Sequence, residues 1–285
     1  MVPSTVKTAL LAACALLLCS CACRDGYSFS WQRHVMDGHR TGVTAPSADN
    51  VSEALGTVDG EVYTAPNGVA FPKGSATYAV AQDMIAVQPQ MAPIKEVIAH
   101  ATRDMVAAAP ESELSNWWVD RMMVDVAALT RRKVDVGILN FGGIRVNLAA
   151  GDVLLDDIVS MFPFKNNLVF VALKGSDLAA VFDAMAATRP QVVGGVKVVM
   201  DGHRIDTLLV GGKPVDPART YGVATVDFLL DGGDGLSVGK NAKELIQTNT
   251  RVIDAVLPYV RSLGAEGKPI EYFTDGRMVV KNWEE

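Results

Sequence analysis

The sequence predicts a single α/β (α+β) domain over residues 91–285, and three observations point to it. The chain has 285 residues, of which 49% are hydrophobic and 20% charged, so it can bury a sizeable core. That composition excludes the disordered and fibrous classes. Short β-branched runs and helical patterns follow one another without strict alternation, which favours a mixed α/β fold. The chain shows no internal repeat.

The charge and the cysteines exclude two further classes. The formal net charge is -6 at pH 7, so the chain offers no basic field for phosphate backbones, and no nucleic-acid partner is expected. All four cysteines, Cys14, Cys19, Cys21 and Cys23, lie in the first 23 residues. The rest of the chain therefore holds neither a disulfide scaffold nor a thiolate metal site.

Residues 1–20 are predicted to be an export signal. Lys7 precedes the apolar run Thr8–Leu18, and the run ends in Leu18-Cys19-Ser20-Cys21, which resembles a bacterial lipoprotein signal with Cys21 as the lipidated residue. Leu11-Ala12-Ala13-Cys14 also matches, but it would leave too short an apolar region. An uncleaved membrane anchor is the other alternative, although a span needs roughly 20 apolar residues. We expect an exported lipoprotein, anchored to a membrane by its lipid in the periplasm or at the outer membrane or cell surface.

Residues 21–90 are predicted to form a tether followed by irregular β structure. The segment is rich in Gly, Pro, Ser, Thr and Asn, with turn signals such as Ala65-Pro66-Asn67-Gly68 and Phe71-Pro72-Lys73-Gly74. Such clusters separate short β-like runs.

Helical spacing begins at Ile94. Apolar residues from Ile94 to Met105 recur at intervals of three and four, which is typical of one face of a helix, although the same run could be a buried strand. A second helical pattern covers Leu114–Leu129. The β-branched run Val134–Asn140 ends at a glycine loop, which predicts a central strand with a site at its carboxyl end.

The remaining elements follow from the same rules. Ser176 and Asp177 can cap a helix, and Asp201-Gly202 is a turn that can join two strands into a hairpin. The patterns predict, in order, the helix Val153–Met161, the strand Asn167–Leu173, a helix from Ser176 to about Thr188, the hairpin strands Val196–Met200 and Ile205–Val210, the strand Tyr221–Phe228 and the helix Thr250–Leu263.

Three loops carry polar and aromatic residues: Asn140–Arg145, Pro163–Asn167 and Asp227–Gly235. Taken singly they could be ordinary turns, because glycine pairs usually serve positive φ angles. Together they contain what a nucleotide pocket needs. Aromatic rings can stack on a base for about 1–3 kcal/mol per base, an arginine fork can grip a phosphate, and a carboxylate can accept hydrogen bonds from ribose hydroxyls.

The order of several motifs resembles a known family. The motifs are Asn140-x-Gly-Gly-Ile-Arg145, Gly151-Asp152, Pro163-Phe164-x-Asn166, Lys174-Gly175, Gly194-Gly195, Asp216-Pro217 and Phe228 six residues before Asp234. From about Glu111 to Arg277 they resemble the C-terminal domain of bacterial and animal 5′-nucleotidases and UDP-sugar hydrolases. The resemblance implies mixed sheet layers with flanking helices and a pocket for a nucleotide or nucleoside.

The resemblance also implies roles for residues around the base. Phe164 and Phe228 would sandwich it, and Asn140 and Asn166 would form hydrogen bonds with it or with its surroundings. The alternative for the two phenylalanines is packing in the core.

On the sugar and phosphate side, the resemblance implies that Asp234 holds the ribose hydroxyls and that Arg145 contacts the phosphate. Gly195 would lie where the backbone approaches the ligand closely. The alternatives are that Asp234 is a turn residue and that Arg145 forms a surface ion pair.

Three positions depart from the family pattern. Ala107–Pro110 stands where relatives have a further phosphate-binding arginine, Gly194-Gly195 replaces a common Ser-Gly, and Lys165 stands where a small residue is common. Lys165 could touch a phosphate or crowd the pocket.

Catalytic and metal-binding residues are not predicted in this chain. Full-length relatives hydrolyse with a metallophosphoesterase domain whose Asp-x-His and Gly-Asn-His motifs bind two metals. None of the four histidines, His34, His39, His100 and His203, lies in such a motif. The leading hypothesis is therefore a domain that works with a separately encoded metallophosphoesterase subunit, which would carry the divalent metals. The alternatives are a non-enzymatic nucleotide or nucleoside receptor, and a surface-interaction protein whose pocket has decayed.

Overall fold

The computed structural model describes residues 50–283. The predicted signal over residues 1–20, the predicted lipidation site Cys21 and the first part of the predicted tether lie outside the described residues. Within the described part, the protein is a mixed α/β fold with four β-sheets and flanking helices. This agrees with the fold class that the sequence predicts.

The first described elements form a small unit that differs from the prediction. They are the helix α1 (Val51–Leu55), the antiparallel strands β1 (Thr57–Asp59), β2 (Val62–Thr64) and β3 (Ala70–Pro72), and the helix α2 (Ala76–Met91). Irregular β structure was expected here, and the sixteen-residue helix α2 was not. Ser75 caps α2 by accepting a hydrogen bond from the backbone N–H of Tyr78. Tyr78 and Ala81 then pack on Tyr63 of the sheet.

The helical period of α2 is hard to see in the sequence because apolar residues lie on both of its faces. Val80, Met84 and Val87 are exposed on the face opposite Tyr78 and Ala81, so no single apolar stripe stands out. Packing on the short sheet, rather than the sequence pattern, makes this segment helical.

The larger part of the fold begins after residue 92. Its first half contains β4 (Val97–Ala101), α3 (Glu113–Thr130), β5 (Val136–Leu139), β6 (Gly151–Leu154), α4 (Leu155–Met161), β7 (Asn167–Lys174) and α5 (Gly175–Thr188). Its second half contains β8 (Val192–Gly194), β9 (Val196–Asp201), β10 (Arg204–Val210), β11 (Lys213–Pro214), β12 (Thr220–Val226), β13 (Glu244–Arg251), α6 (Val252–Ala265) and β14 (Met278–Lys281).

Several of these elements settle or correct a prediction. Strands β6, β8, β11 and β14 were not predicted, and β6 includes the first two residues of the predicted helix Val153–Met161. The segment Val97–Ala101 is a strand, so the strand alternative for the Ile94–Met105 run is right over these residues. Strand β13 was not predicted. Its burial alternates along the strand, and it pairs with β7 at the edge of the central sheet. Of its four exposed residues, three are polar and the fourth is Leu245.

The central sheet has the strand order β13-β7-β12-β5-β8. Strand β12 runs parallel to β5, and the other neighbours are antiparallel. The run Leu168–Leu173 of β7 is buried throughout, because both faces of the sheet are covered and such strands are apolar on both sides. Helices α3 and α5 both pack on this sheet.

The other sheets flank the central one. Strands β9 and β10 form the predicted hairpin, extended by β11 and by the parallel strand β14, while β4 pairs with β6. Helix α6 packs on β4, and Gly264 of the helix lies against Ile98 of the strand. A Cβ at Gly264 would lie 2.0 Å from the carbonyl oxygen of Ile98, so this close approach requires glycine. None of the helices within residues 50–283 is long and apolar enough to cross a membrane.

Candidate functional site

The three loops with polar and aromatic residues meet at one edge of the central sheet, the one formed by the carboxyl ends of β5 and β12 and the start of β7. Loop 140–145 follows the carboxyl end of β5, and loop 227–235 follows the carboxyl end of its parallel neighbour β12. Loop 163–166 precedes β7, which is antiparallel to β12. The start of an antiparallel strand lies beside the end of its neighbour, so the topology alone brings the three loops together.

A hydrogen bond joins the first loop to the third. The Nδ2 atom of Asn140 donates to Oδ2 of Asp234 over 2.7 Å, and Asn140 is only 7% exposed. The backbone N–H and the side-chain amide of Asn167 both donate to Oδ2 of Asp227, at 3.1 and 3.0 Å. The second loop is therefore fastened to the third at the start of β7.

The third loop is a tight turn around Asp234. Asp234 lies in the left-handed region with a φ of 48°, which short polar side chains tolerate better than others do. A Cβ at Gly233 would lie 2.0 Å from the carbonyl oxygen of Phe228, so only glycine allows this approach. Asp234 is thus a turn residue whose carboxylate also takes part in hydrogen bonding.

The two aromatic side chains of the site are half exposed. Phe164 is 46% exposed and Phe228 is 45% exposed, so neither ring belongs to the core, and core packing does not account for them. The ring of Phe228 lies against the backbone of Gly233, one residue before Asp234. The guanidinium carbon of Arg145 lies 5.9 Å from the centroid of the Phe164 ring, within the range of a cation–π contact.

Arg145 and Asn166 complete the predicted set at this edge. Arg145 is exposed, and within residues 50–283 it takes part in no ion pair, so the surface ion-pair alternative is not observed there. Its nearest hydrogen-bond acceptor is the carbonyl oxygen of Gly142, 3.4 Å from Nη1. Asn166 is half buried and lines a shallow pocket with Phe164 and Gly143.

Gly195 does not lie with the other predicted residues. The pairing of Gly194 with Gly137 places it beside the start of β5, about four residues of strand, or ~13 Å, from Asn140. Its φ is 71°, and a Cβ there would lie 2.2 Å from the carbonyl oxygen of Asp135. The position requires glycine because the backbone packs closely on Asp135, and its place beside a ligand stays a prediction.

Two further residues at this edge were not predicted. The Nη2 atom of Arg189 donates to Oδ1 of Asp234 over 2.7 Å. Gln191 is fully buried, and its Oε1 accepts a hydrogen bond from the backbone N–H of Phe141 over 3.1 Å. Both residues precede β8, and only the antiparallel pairing of β8 with β5 shows that they reach loop 140–145.

The described residues offer no metal centre. No group of three or more His, Cys, Asp or Glu side chains within residues 50–283 is placed to hold a metal ion. The donors that a two-metal phosphoesterase site requires are therefore not assembled in this part of the chain.

Comparison with known proteins shows which family this chain resembles. A family profile described as "5'-nucleotidase, C-terminal domain" matches residues 97–241. The silent protein UshA(0) of Salmonella typhimurium is 32% identical over 134 residues, which cover 45% of this chain and 24% of that protein. Protein UshA of Escherichia coli is 30% identical over 138 residues, or 47% of this chain and 25% of that protein. The matched region thus spans about a quarter of these relatives.

A solved structure agrees with the profile. The 5′-nucleotidase precursor from Thermus thermophilus superposes with a TM-score of 0.63 and 27% identity, covering 72% of this chain and 44% of that one. The profile accounts for half of this chain and includes the loops built on Asn140, Phe164 and Asp234. The chain therefore belongs to the family of the 5′-nucleotidase C-terminal domain.

Proposed function

We propose that this chain is the nucleotide-binding part of a 5′-nucleotidase-type hydrolase that works outside the cytoplasm. The observation that carries the proposal is the hydrogen bond between Asn140 and Asp234, which brings the first and third loops together beside two half-exposed phenylalanine rings. A base, a ribose and a phosphate each have a suitable group at this edge.

The base would stack between Phe164 and Phe228. Ring exposure at both positions supports this role, since a buried ring could not receive a ligand. No ring contact joins the two phenylalanines within residues 50–283, so a flat ligand would not have to separate a stacked pair. Asn166, half buried in the pocket beside Phe164, would form a hydrogen bond with the base or its surroundings.

The ribose would bind at Asp234 and the phosphate at Arg145. A carboxylate offers about four lone-pair sites, so Asp234 can accept a ribose hydroxyl in addition to its bonds with Asn140 and Arg189. Arg145 is exposed beside Phe164, where its fork can reach a phosphate on a stacked nucleotide.

Hydrolysis would require a partner. We propose a separately encoded metallophosphoesterase subunit that carries the divalent metals, with this chain supplying the substrate pocket. What supports this idea is that a two-metal phosphoesterase site needs a cluster of metal-ligating side chains, and residues 50–283 place no such cluster together. The predicted lipid on Cys21 would keep this chain and the partner subunit at a membrane surface outside the cytoplasm, in the periplasm or at the cell surface.

The pocket is tested by nucleotide titration of the purified chain. Phe164→Ala and Phe228→Ala should each weaken the binding of adenosine and of adenosine 5′-monophosphate by about 1–3 kcal/mol, which is a loss of affinity of roughly 5- to 150-fold. Phe273→Ala is the matched control, since this ring is 59% exposed in the C-terminal segment. Thermal melts should show that all three variants stay folded. Unchanged affinity in Phe228→Ala would remove the third loop from the proposed pocket.

The partner is tested by pull-down of the native lipoprotein, followed by identification of the proteins that accompany it and by phosphate-release assays. We expect no release of phosphate from adenosine 5′-monophosphate by the chain alone, and metal-dependent release once an exported metallophosphoesterase is added. Nucleotide binding without such a partner would favour a receptor. Metal-dependent release by the homogeneous chain alone would contradict the two-subunit proposal.

A further inference from the structure

The ion pair between Arg189 and Asp234 leaves part of the arginine unused. Asn140 donates to Oδ2 of Asp234, and Arg189 donates to Oδ1 through Nη2 alone. The Arg189 side chain is 58% exposed, whereas the Asp234 side chain is 19% exposed. The charged pair therefore has its carboxylate half inside the site and its guanidinium half at the rim.

Several ion-paired arginines donate to one carboxylate through two nitrogens, whereas Arg219, like Arg189, uses one. Arg132 donates through Nε and Nη2 to Glu244, and Arg261 donates through Nη1 and Nη2 to Glu96. A guanidinium has five N–H donors arranged to match carboxylate or phosphate oxygens bidentately. At Arg189, the N–H groups of Nε and Nη1 make no hydrogen bond within residues 50–283, so a second oxyanion can bind there without breaking the contact with Asp234.

We propose that Arg189 is a specificity-determining residue that recognises a phosphate on the 2′ or 3′ hydroxyl of the ribose. This inference rests on the proposed function, in which Asp234 accepts the ribose hydroxyls. A phosphate on one hydroxyl would lie at the rim, against the free N–H groups of Arg189, while the other hydroxyl donates to Asp234. The substrate class is thus a nucleotide with a phosphate on the 2′ or 3′ side of the ribose, with or without one at the 5′ position.

Other nucleotide sites use these two residue types for the two forms of the ribose. In dinucleotide-binding folds, an acidic residue accepts a hydroxyl of the unphosphorylated ribose, or a nearby arginine accommodates the phosphate of the phosphorylated one. Here both residue types lie in contact at one site. Arg145 sits beside Phe164 in another loop, so the two arginines can serve phosphates on different parts of one nucleotide.

The test compares four ligands by calorimetry on the full chain: adenosine and its 5′-, 3′- and 2′-monophosphates. We expect the 3′- or the 2′-monophosphate to bind about tenfold or more tightly than adenosine, as a charge-assisted contact allows. Arg189→Gln should abolish that gain. Arg189→Lys, which keeps the charge without the fork, should retain part of it. Arg132→Gln is the matched control, since this arginine is also ion-paired and is 46% exposed.

The outcomes separate this inference from the proposed function. If adenosine and its 5′-monophosphate bind but a 2′ or 3′ phosphate brings no gain, the inference is overturned and the proposed function stands. If the 2′ or 3′ phosphate strengthens binding to the Arg189→Gln variant as much as to the wild type, the inference is also overturned. If none of the four ligands binds, the proposed function falls, and this inference falls with it. A gain that disappears in Arg189→Gln and remains in Arg132→Gln supports it.

Discussion

Asp234 is oriented before any ligand arrives. Its backbone has a positive φ, Asn140 holds one carboxylate oxygen and Arg189 holds the other. Hydrogen bonds from charged or amide groups that are already in place reduce the ordering that binding would otherwise require. The side chain can therefore accept a ribose hydroxyl with little rearrangement, and its position depends on residues from two other segments of the chain.

Arg145 should strengthen the binding of phosphorylated ligands and have little effect on the binding of unphosphorylated ones. Its side chain is exposed and lies over Phe164, so Arg145→Ala removes a phosphate contact while the base and ribose contacts remain. We expect adenosine 5′-monophosphate to bind about tenfold or more weakly, because hydrogen bonds to charged groups are worth about 1.5–3 kcal/mol. Adenosine, titrated in parallel by calorimetry, should change little. An equal loss for both ligands would show that Arg145 does not serve the phosphate.

At the scale of elements, a network of charged groups fastens the C-terminal segment to helix α3. Nη1 and Nη2 of Arg277 donate to the two carboxylate oxygens of Asp120 over 2.7 and 2.8 Å, and the hydroxyl of Tyr272 donates to the same carboxylate over 2.6 Å. Arg277 is 9% exposed and also pairs with Asp275, whose pKa it lowers chiefly through their hydrogen bond. Removing one member would leave the others incompletely paired.

The Tyr272 hydroxyl should make stability depend on pH in alkaline solution. Burial, followed by the hydrogen bond to Asp120, raises the pKa of Tyr272 from 10.0 to about 12. The folded state therefore holds this proton more tightly than the unfolded state, and the stabilisation is fully present below pH 10 and is lost as the pH rises toward 12. The difference in unfolding free energy between the wild type and Tyr272→Phe should decrease over that interval in urea titrations. A difference that stays constant with pH would contradict the assignment.

At the scale of the whole described molecule, the hydrophobic side chains form two separate cores. The small one contains Tyr63, Tyr78 and Ala81, and the large one extends from Ile98 to Met278. No core residue of the large cluster comes from residues 50–91. The site lies entirely on elements that belong to the large core, so its geometry does not depend on the packing of α2.

A chain that begins at Ala92 should therefore fold and bind nucleotides. The apolar surface that stabilises the central sheet is all retained in it, and burial of that surface is the main favourable term in folding. We expect cooperative thermal unfolding by circular dichroism and an affinity for adenosine 5′-monophosphate within about twofold of the longer chain, a free-energy difference of about 0.4 kcal/mol. Loss of cooperative unfolding would show that the small unit supports the large one.

Local sequence signals accounted for most elements of the large unit. Continuous apolar runs predict β7 and β12, because strands that are buried on both faces need apolar residues at every position. The edge strand β13 and the helix α2 lack such a signal, since both faces of β13 mix polar and apolar residues, and apolar residues lie on both faces of α2. Their structure depends on the neighbours they pair with or pack on.

The sequence by itself determined the family, the mixed α/β class and the three loops that carry Asn140, Phe164 and Asp234, since motif order and turn chemistry are local properties of the chain. Only the tertiary structure decided which distant residues join those loops. Strand pairing carries Arg189 to Asp234 and takes Gly195 to the opposite end of β5. Register between strands is a non-local property, set by burial and by pairing across the sheet, so no motif in the sequence contained it.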